Sequence, residues 1–330
     1  MTKKVIKKKI REFLRKQGYE NKVITLAIIF ILFSIYWIFL TSMPLRTELP
    51  RNVEIEKGSS VKAISRQLKE GGFIRSKVIF SSLVILQGNR SIISGEYRFE
   101  NRENIFEVIN RLTRGDYGIP SKSVRIPEGT TLLEMGIVFE DNFENFDKEA
   151  FYQLTEGKEG YLFPDTYIFL ENVKTHEVVE VLEETFNQKV AALREELGGF
   201  KIPLEDIVIM ASIVEKEADD ENREQIANVL WHRIEIEMPL QVDATFVYSR
   251  GKGTFDLTKE DLIEKENPYN TYVHKGLPPT PISNPGLDSL KAAATPEKTE
   301  YLYFLTGHNG ETYYATTFED HKRNKAKYLR

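Results

Sequence analysis

The sequence predicts an α+β protein carried by a single N-terminal transmembrane helix, with a small α+β module and then a larger α+β domain beyond it. Three observations predict this. An uncharged run of 23 residues, Val23 to Leu45, follows a strongly basic head. Short alternating stretches suited to strands are mixed with longer helical patterns, without a regular strand–helix–strand alternation. A strand–turn–helix signature also occurs twice, 71 residues apart.

The head, residues 1–22, holds nine Lys/Arg and two Glu. The run after it, VITLAIIFILFSIYWIFLTSMPL (23–45), is long enough to cross roughly 30 Å of hydrocarbon as a helix. Tyr36 and Trp37 lie near one end, where aromatic rings favour the membrane–water boundary. No convincing small-x-small cleavage site follows, so the segment reads as a retained anchor and not a cleaved signal. The positive-inside rule keeps residues 1–22 in the cytoplasm and puts the bulk of the chain outside the cell membrane. Beyond residue 22 the chain has 36 basic and 48 acidic residues, which argues against nucleic acid as a partner. Cysteine is absent and the five histidines are scattered with no HExxH pair, so a disulfide framework, a thiolate metal site and zinc chemistry are not expected.

VEIEKGSSVKAISRQL from Val53 and VRIPEGTTLLEMGIVF from Val124 each give a strand, a Gly turn, a Ser/Thr pair fit to cap a helix, and an amphipathic helix. Two related small units account for the echo better than chance recurrence. The first continues through GEYRF, a strand, to a helix with Ile105, Val108, Ile109 and Leu112 on one face. Residues 53–117 form a compact module that resembles the LysM-like regions found beside cell-wall enzymes. RGDYGIPSKS is the connector, and the second domain covers 122–330. Its helices are expected at 175–198, 205–217 and 221–238, followed by a long, loop-rich tail.

The segment IVIMASIVEKEA (207–218) is an apolar helix that ends in charge. Ile207, Met210, Ala211, Val214 and Ala218 fall on one face, and Glu217 sits at its margin, where a carboxylate rarely goes without a partner or a task. Asp219, Asp220 and Glu221 suit the start of the next helix, whereas spacing alone leaves Glu215 a competitor to Glu217. Downstream, MPLQVDATFVYSRG and NPYNTYVHKGLPPTPISNPG are crowded with Pro, Gly, amide and aromatic residues. Such long ordered loops line binding clefts, and amides, carboxylates and flat rings suit a sugar ligand. Gln241, Asp243, Asn270 and Tyr272 are the candidate substrate contacts; turn caps and core packing are the competing roles for the last three.

ASIVEKEA, LQVDATFVY, NPYNTY, KGLPPTPISNPG and SLKAAATP, with EGYLFPDTY upstream, resemble the endolytic murein transglycosylase family (MltG or YceG-like), in the family's order and over residues 53 to 330. The position after Asp243 is often Pro in that family and is Ala244 here, a departure that bears on the loop. The resemblance implies that Glu217, the second Glu of E-K-E, is the catalytic acid. It implies cleavage of the MurNAc–GlcNAc bond of peptidoglycan strands without water, leaving 1,6-anhydroMurNAc ends, and no cofactor. It further implies a membrane-held enzyme working beside cell-wall synthases (penicillin-binding proteins) and division or elongation proteins, terminating or releasing nascent strands. The alternative is a non-catalytic anchored scaffold that binds peptidoglycan and recruits synthases. A metal-dependent amidase is disfavoured by the lack of a close His pair.

Overall fold

The computed structural model describes residues 3–88, 91–253 and 256–329, with only the backbone for 3–21. By internal contacts the chain divides into two units, Met1–Ile119 and Pro120–Arg330. The architecture is mixed α+β.

The first unit opens with α1 (Lys3–Thr41). Its stretch Lys22–Thr41 is the one helix among the described residues long and apolar enough to cross a membrane, and its side chains from Val23 to Phe39 are not buried by protein. Strand β1 (Arg51–Ile55) follows, then α2 (Val61–Glu70), α3 (Lys77–Leu86), β2 (Gly95–Phe99) and α4 (Ile105–Arg114). β1 and β2 pair antiparallel, Arg51 opposite Phe99 and Ile55 opposite Gly95. The alternation of β1 puts Val53 and Ile55 inward, where Ile64 and Leu68 of α2, Phe80 of α3 and Ile109 and Leu112 of α4 complete the core. Local sequence sets the helix ends. Ser60 caps α2 through Ala63 N–H, and Asn104 with Glu107 forms a reciprocal capping box on α4, each cap worth about 1 kcal/mol.

The second unit repeats this plan before adding to it. Its β3 (Ser121–Arg125), α5 (Leu132–Asn142), α6 (Lys148–Leu154), β4 (Thr166–Leu170) and α7 (Thr175–Glu196) begin 70 or 71 residues after β1, α2, α3, β2 and α4 in turn. β3 and β4 again pair antiparallel, and Thr131 caps α5 as Ser60 caps α2. The sequence echo at Val53 and Val124 thus marks the start of a duplicated β-α-α-β-α arrangement.

The rest of the second unit is built around α8 (Leu204–Glu217), whose residues Ile207 to Val214 are all buried. Helices α9 (Arg223–Glu235), α10 (Ala244–Arg250) and α12 (Leu287–Ala294) pack on it; the short α11 (Lys259–Ile263) lies between the last two in sequence. Helix α9 is shorter than the expected 221–238. At its start a turn holds Asp219 N–H on Asn222 Oδ1, and at its end Glu237 takes a left-handed backbone, φ 55°. The tail also has more regular structure than its composition suggests. Residues 264–286 are irregular, but β5 (Tyr303–Thr306) and β6 (Thr312–Ala315) form a hairpin, and α13 (Phe318–Tyr328) follows it.

Candidate active site

Glu217 is the last residue of α8. The buried run that precedes it anchors the helix in the core, and Ala218, extended at φ −110° and ψ 148°, turns the chain away. The Glu217 side chain is therefore half-buried at a helix end that opens on a cleft of about 1010 Å³. Burial pushes its carboxyl up to about 7, and the neighbouring Asp243 charge adds to the rise; the Ala244 N–H, which donates to the carboxyl, and the Arg233 charge oppose it. Half of such groups carry a proton near neutrality, which is what a general acid needs.

Glu215 is spent differently. Its side chain is 6 % exposed, one oxygen faces Arg223 Nη2 at 3.3 Å, and the other accepts the Gly286 N–H at 2.9 Å. Arg223 is shared further with Asp220 (2.7 Å) and Ser289 Oγ (3.1 Å). The first carboxylate of E-K-E thus joins α8 to α9 and to the start of α12, and it does not line the cleft.

The four expected substrate contacts have different fates. Asp243 lines the cleft beside Glu217, just ahead of α10, and accepts the Tyr272 hydroxyl at 2.6 Å. Tyr272 reaches the site through that bond and is not part of the cleft wall. Asn270 is a correction. It is fully buried, its amide N–H groups go to the carbonyls of Asp261 (3.0 Å) and Glu264 (2.7 Å), and its oxygen accepts Tyr272 N–H (3.0 Å). Both polar atoms of that buried side chain are engaged by backbone groups of α11 and the loop after it, so none is turned to a sugar. Gln241 is placed differently from Asp243. Its left-handed backbone, φ 52°, lets its N–H reach Thr271 O at 3.0 Å, and its exposed side chain lies outside the cleft wall.

Three groups in the cleft wall were not among the expected contacts. Glu159, the first residue of EGYLFPDTY, is 8 % exposed, and burial pushes its carboxyl up to about 7 despite bonds from Leu132 N–H, Asn284 Nδ2 and Tyr248. Tyr248 and Tyr269 meet edge to face at 5.4 Å, and the Tyr269 hydroxyl bonds Thr280 at 2.7 Å. The available signals were a carboxylate directly before an apolar Gly-Tyr-Leu-Phe-Pro turn and two tyrosines in segments already rich in amides.

The loop ending in SNPG closes the site from behind. Ile282 N–H donates to Ser212 Oγ (3.0 Å) and Ser283 Oγ to Ser212 O (3.2 Å), which sews the loop to the middle of α8. Asn284 donates to Thr130 O and Glu159, and accepts from the N–H groups of Gly160 and Leu162. Gly160 has φ +89°, and a Cβ there would lie 2.7 Å from Pro281 and 2.8 Å from Val208, so the crossing admits only glycine.

With this geometry, the comparison with known proteins is direct. The YceG-like family model matches residues 53–327, most of the chain. The chain belongs to the YceG-like family. Among relatives, the endolytic murein transglycosylase of Bacillus subtilis is 31 % identical over 306 residues, covering 84 % of each chain. That of Streptococcus pneumoniae is 27 % identical over 319 residues, covering 84 % of this chain and 58 % of the longer pneumococcal one. A crystal structure of a YceG-like protein from Listeria monocytogenes superposes with a TM-score of 0.54 at 30 % identity, covering 83 % of this chain and 98 % of that one. The family assignment applies to the module and the larger unit alike, since the match begins at β1.

Proposed function

We propose that this protein is a membrane-anchored endolytic murein transglycosylase, with Glu217 as its single acid and base. The observation that carries the reading is the half-buried Glu217 carboxyl, held near 7 on the wall of a large cleft, in a chain whose relatives bear that name. Protonated Glu217 gives its proton to the oxygen joining MurNAc C1 to GlcNAc, and the C1–O bond breaks. Asp243, whose carboxylate faces the same cleft, offsets the positive charge that develops at C1. The Glu217 carboxylate then takes the proton from the MurNAc 6-hydroxyl as O6 closes on C1, which returns the acid and leaves a 1,6-anhydro end. The substrate supplies the nucleophile, so the second carboxylate that a hydrolase needs for water has no role.

Several finer features belong to the same proposal. Residues 1–22 lie in the cytoplasm and both folded units outside, because the basic head precedes the apolar span. Residues 53–117 act as a LysM-like module beside a catalytic domain of 122–330. The enzyme works among wall synthases on nascent strands. Purified protein incubated with uncrosslinked glycan strands, with products resolved by mass, tests the chemistry. Ends 18 Da lighter than reducing MurNAc are expected, since the anhydro ring lacks one water. Reducing ends would require an activated water and end the proposal; a scaffold would give no products at all.

A further inference from the structure

The small unit carries an apolar face that no described residue covers. In α3, KVIFSSLVIL, Phe80 and Val84 turn into the core, while Val78, Ile85 and Leu86 are 68 %, 71 % and 81 % exposed. At 100° per residue Val78, Ser82, Ile85 and Leu86 fall within one stripe about 100° wide, on the side away from the core. Three large apolar side chains in one stripe are more than the scattered exposure normal on a soluble surface.

Two further observations say what covers it. The first is continuity with α1. Met43, just past the apolar span, is buried in the core of the small unit. Arg75, two residues before α3, places its guanidinium 4.1 Å from the ring centre of Phe39 within the span and donates to Met43 O at 3.3 Å. Arg102 donates to Leu45 O at 2.7 Å, and Thr47 Oγ1 to Gly72 O at 2.8 Å. The start of α3 is thereby held at the end of the helix that suits a membrane. The second is charge. Residues 46–119 hold 13 Lys/Arg against 9 Asp/Glu, whereas residues 120–330 hold 23 against 39. The basic excess lies in the unit tied to the span, as an anionic lipid surface would select.

We propose that α3 lies in the interface of the bilayer that α1 enters, its Val78–Ile85–Leu86 face among the headgroups and upper acyl chains, with the basic residues of the small unit against anionic lipid. The module would then be a second, peripheral membrane contact that fixes the small unit at the surface and does not leave it swinging on a tether. This rests on α1 spanning the bilayer and is independent of the glycan chemistry.

The native chain has no cysteine, so single labels can be placed without background. Full-length chains carrying Val78→Cys, Ile85→Cys or Leu86→Cys, each with an environment-sensitive fluorophore, are reconstituted into vesicles containing anionic lipid. Brominated acyl chains are expected to remove most of the emission at all three positions, and aqueous iodide little of it. In the Val78→Cys chain, adding Ile85→Asp and Leu86→Asp should reverse that pattern while the melting temperature stays put. Purely zwitterionic vesicles should weaken quenching by the lipid. Free access of iodide to all three labels would overturn the proposal. So would labels shielded from both quenchers, which would mean that another protein chain covers the face. A chain that fails to float with vesicles would remove the premise, and the proposal would fall with it.

Discussion

Exchanging each carboxylate of E-K-E for its amide should separate stability from catalysis in opposite directions. Glu217 has an ordinary carboxyl value of 4.5 when unfolded and about 7 when folded. The folded state therefore holds its proton more tightly, and the stability associated with it is complete below pH 4.5 and lost as pH rises through about 7. By linkage the gap costs about 3 kcal/mol of folding free energy at pH 8. Glu217→Gln removes that cost, so the variant should melt several degrees above wild type at pH 8 and close to it at pH 4.5. Its turnover should fall by on the order of 10²–10⁴, the contribution of a lost general acid. Glu215→Gln does the reverse. It neutralises the buried partner of Arg223 but keeps a group able to accept the Gly286 N–H, and Arg223 retains Asp220. A loss of about 1–3 kcal/mol is expected, below the full cost of a broken buried pair, with substantial turnover below the melting range. Calorimetry at the two pH values and release of anhydro ends from glycan strands read both effects. A Glu217→Gln protein that cuts normally, or is destabilised at pH 8, would refute the reasoning. If Glu215→Gln is the folded but inactive variant, the roles are exchanged.

Wild-type activity should decline above pH of about 7 as Glu217 loses its proton, and a rate that keeps climbing to pH 9 would contradict an acid role. Tyr272→Phe deletes the 2.6 Å bond to Asp243; a tenfold to hundredfold loss in kcat with little change in KM is expected, roughly the worth of one hydrogen bond to a charged group. Unchanged kinetics would show that Asp243 needs no such support. Asn270→Ala removes three bonds made by a buried side chain to part-buried backbone groups and should lower stability by about 1–3 kcal/mol, while leaving KM near wild type in whatever fraction stays folded. Gly160→Ala meets both Pro281 and Val208 at a left-handed φ and should cost roughly 3 kcal/mol in thermal unfolding; a neutral result would mean that the SNPG loop yields easily.

Much of the fold was legible because its signals are local. The caps at Ser60 and Thr131 and the buried face of α8 each declare themselves within a dozen residues. The echo at Val53 and Val124 was visible because Gly-Ser-Ser and Gly-Thr-Thr sit at one offset, but its continuation through α3 and α6 was not. KVIFSSLVIL and KEAFYQL have only K-x-x-F-x-x-L in common, with Phe80 and Phe151 both buried, and α3 is apolar on its outer face where α6 is not. Apolar periodicity runs on through Met238, past the end of α9 at Glu235, because a left-handed Glu237 breaks the helix with neither Gly nor Pro next to it. Glu217 stood out because a carboxylate at the end of a buried helix breaks a pattern. Its rivalry with Glu215 could be resolved only in three dimensions, where Arg223, eight residues on, takes one carboxylate and leaves the other to the cleft.

The amides misled for a related reason. Asn and Gln offer a donor and an acceptor side by side, which suits an acetamido sugar and suits an exposed peptide group equally well. A long irregular segment such as 264–286 has many backbone groups with no helix or strand to satisfy them, so it must carry amides for its own sake. Asn270 ties the carbonyl of Glu264 in that segment and that of Asp261 in α11, and Asn284 ties Thr130, Gly160 and Leu162 while bonding Glu159. Both are fully buried. Asp243, Tyr248 and Tyr269 come from the same stretches of sequence but are only partly buried and face the cleft. Loop composition therefore points to the segments that line the cleft and cannot say which side of its wall each residue faces. Glu159 shows the two roles meeting, since the carboxyl that receives Asn284 from behind also lines the cavity into which Glu217 opens.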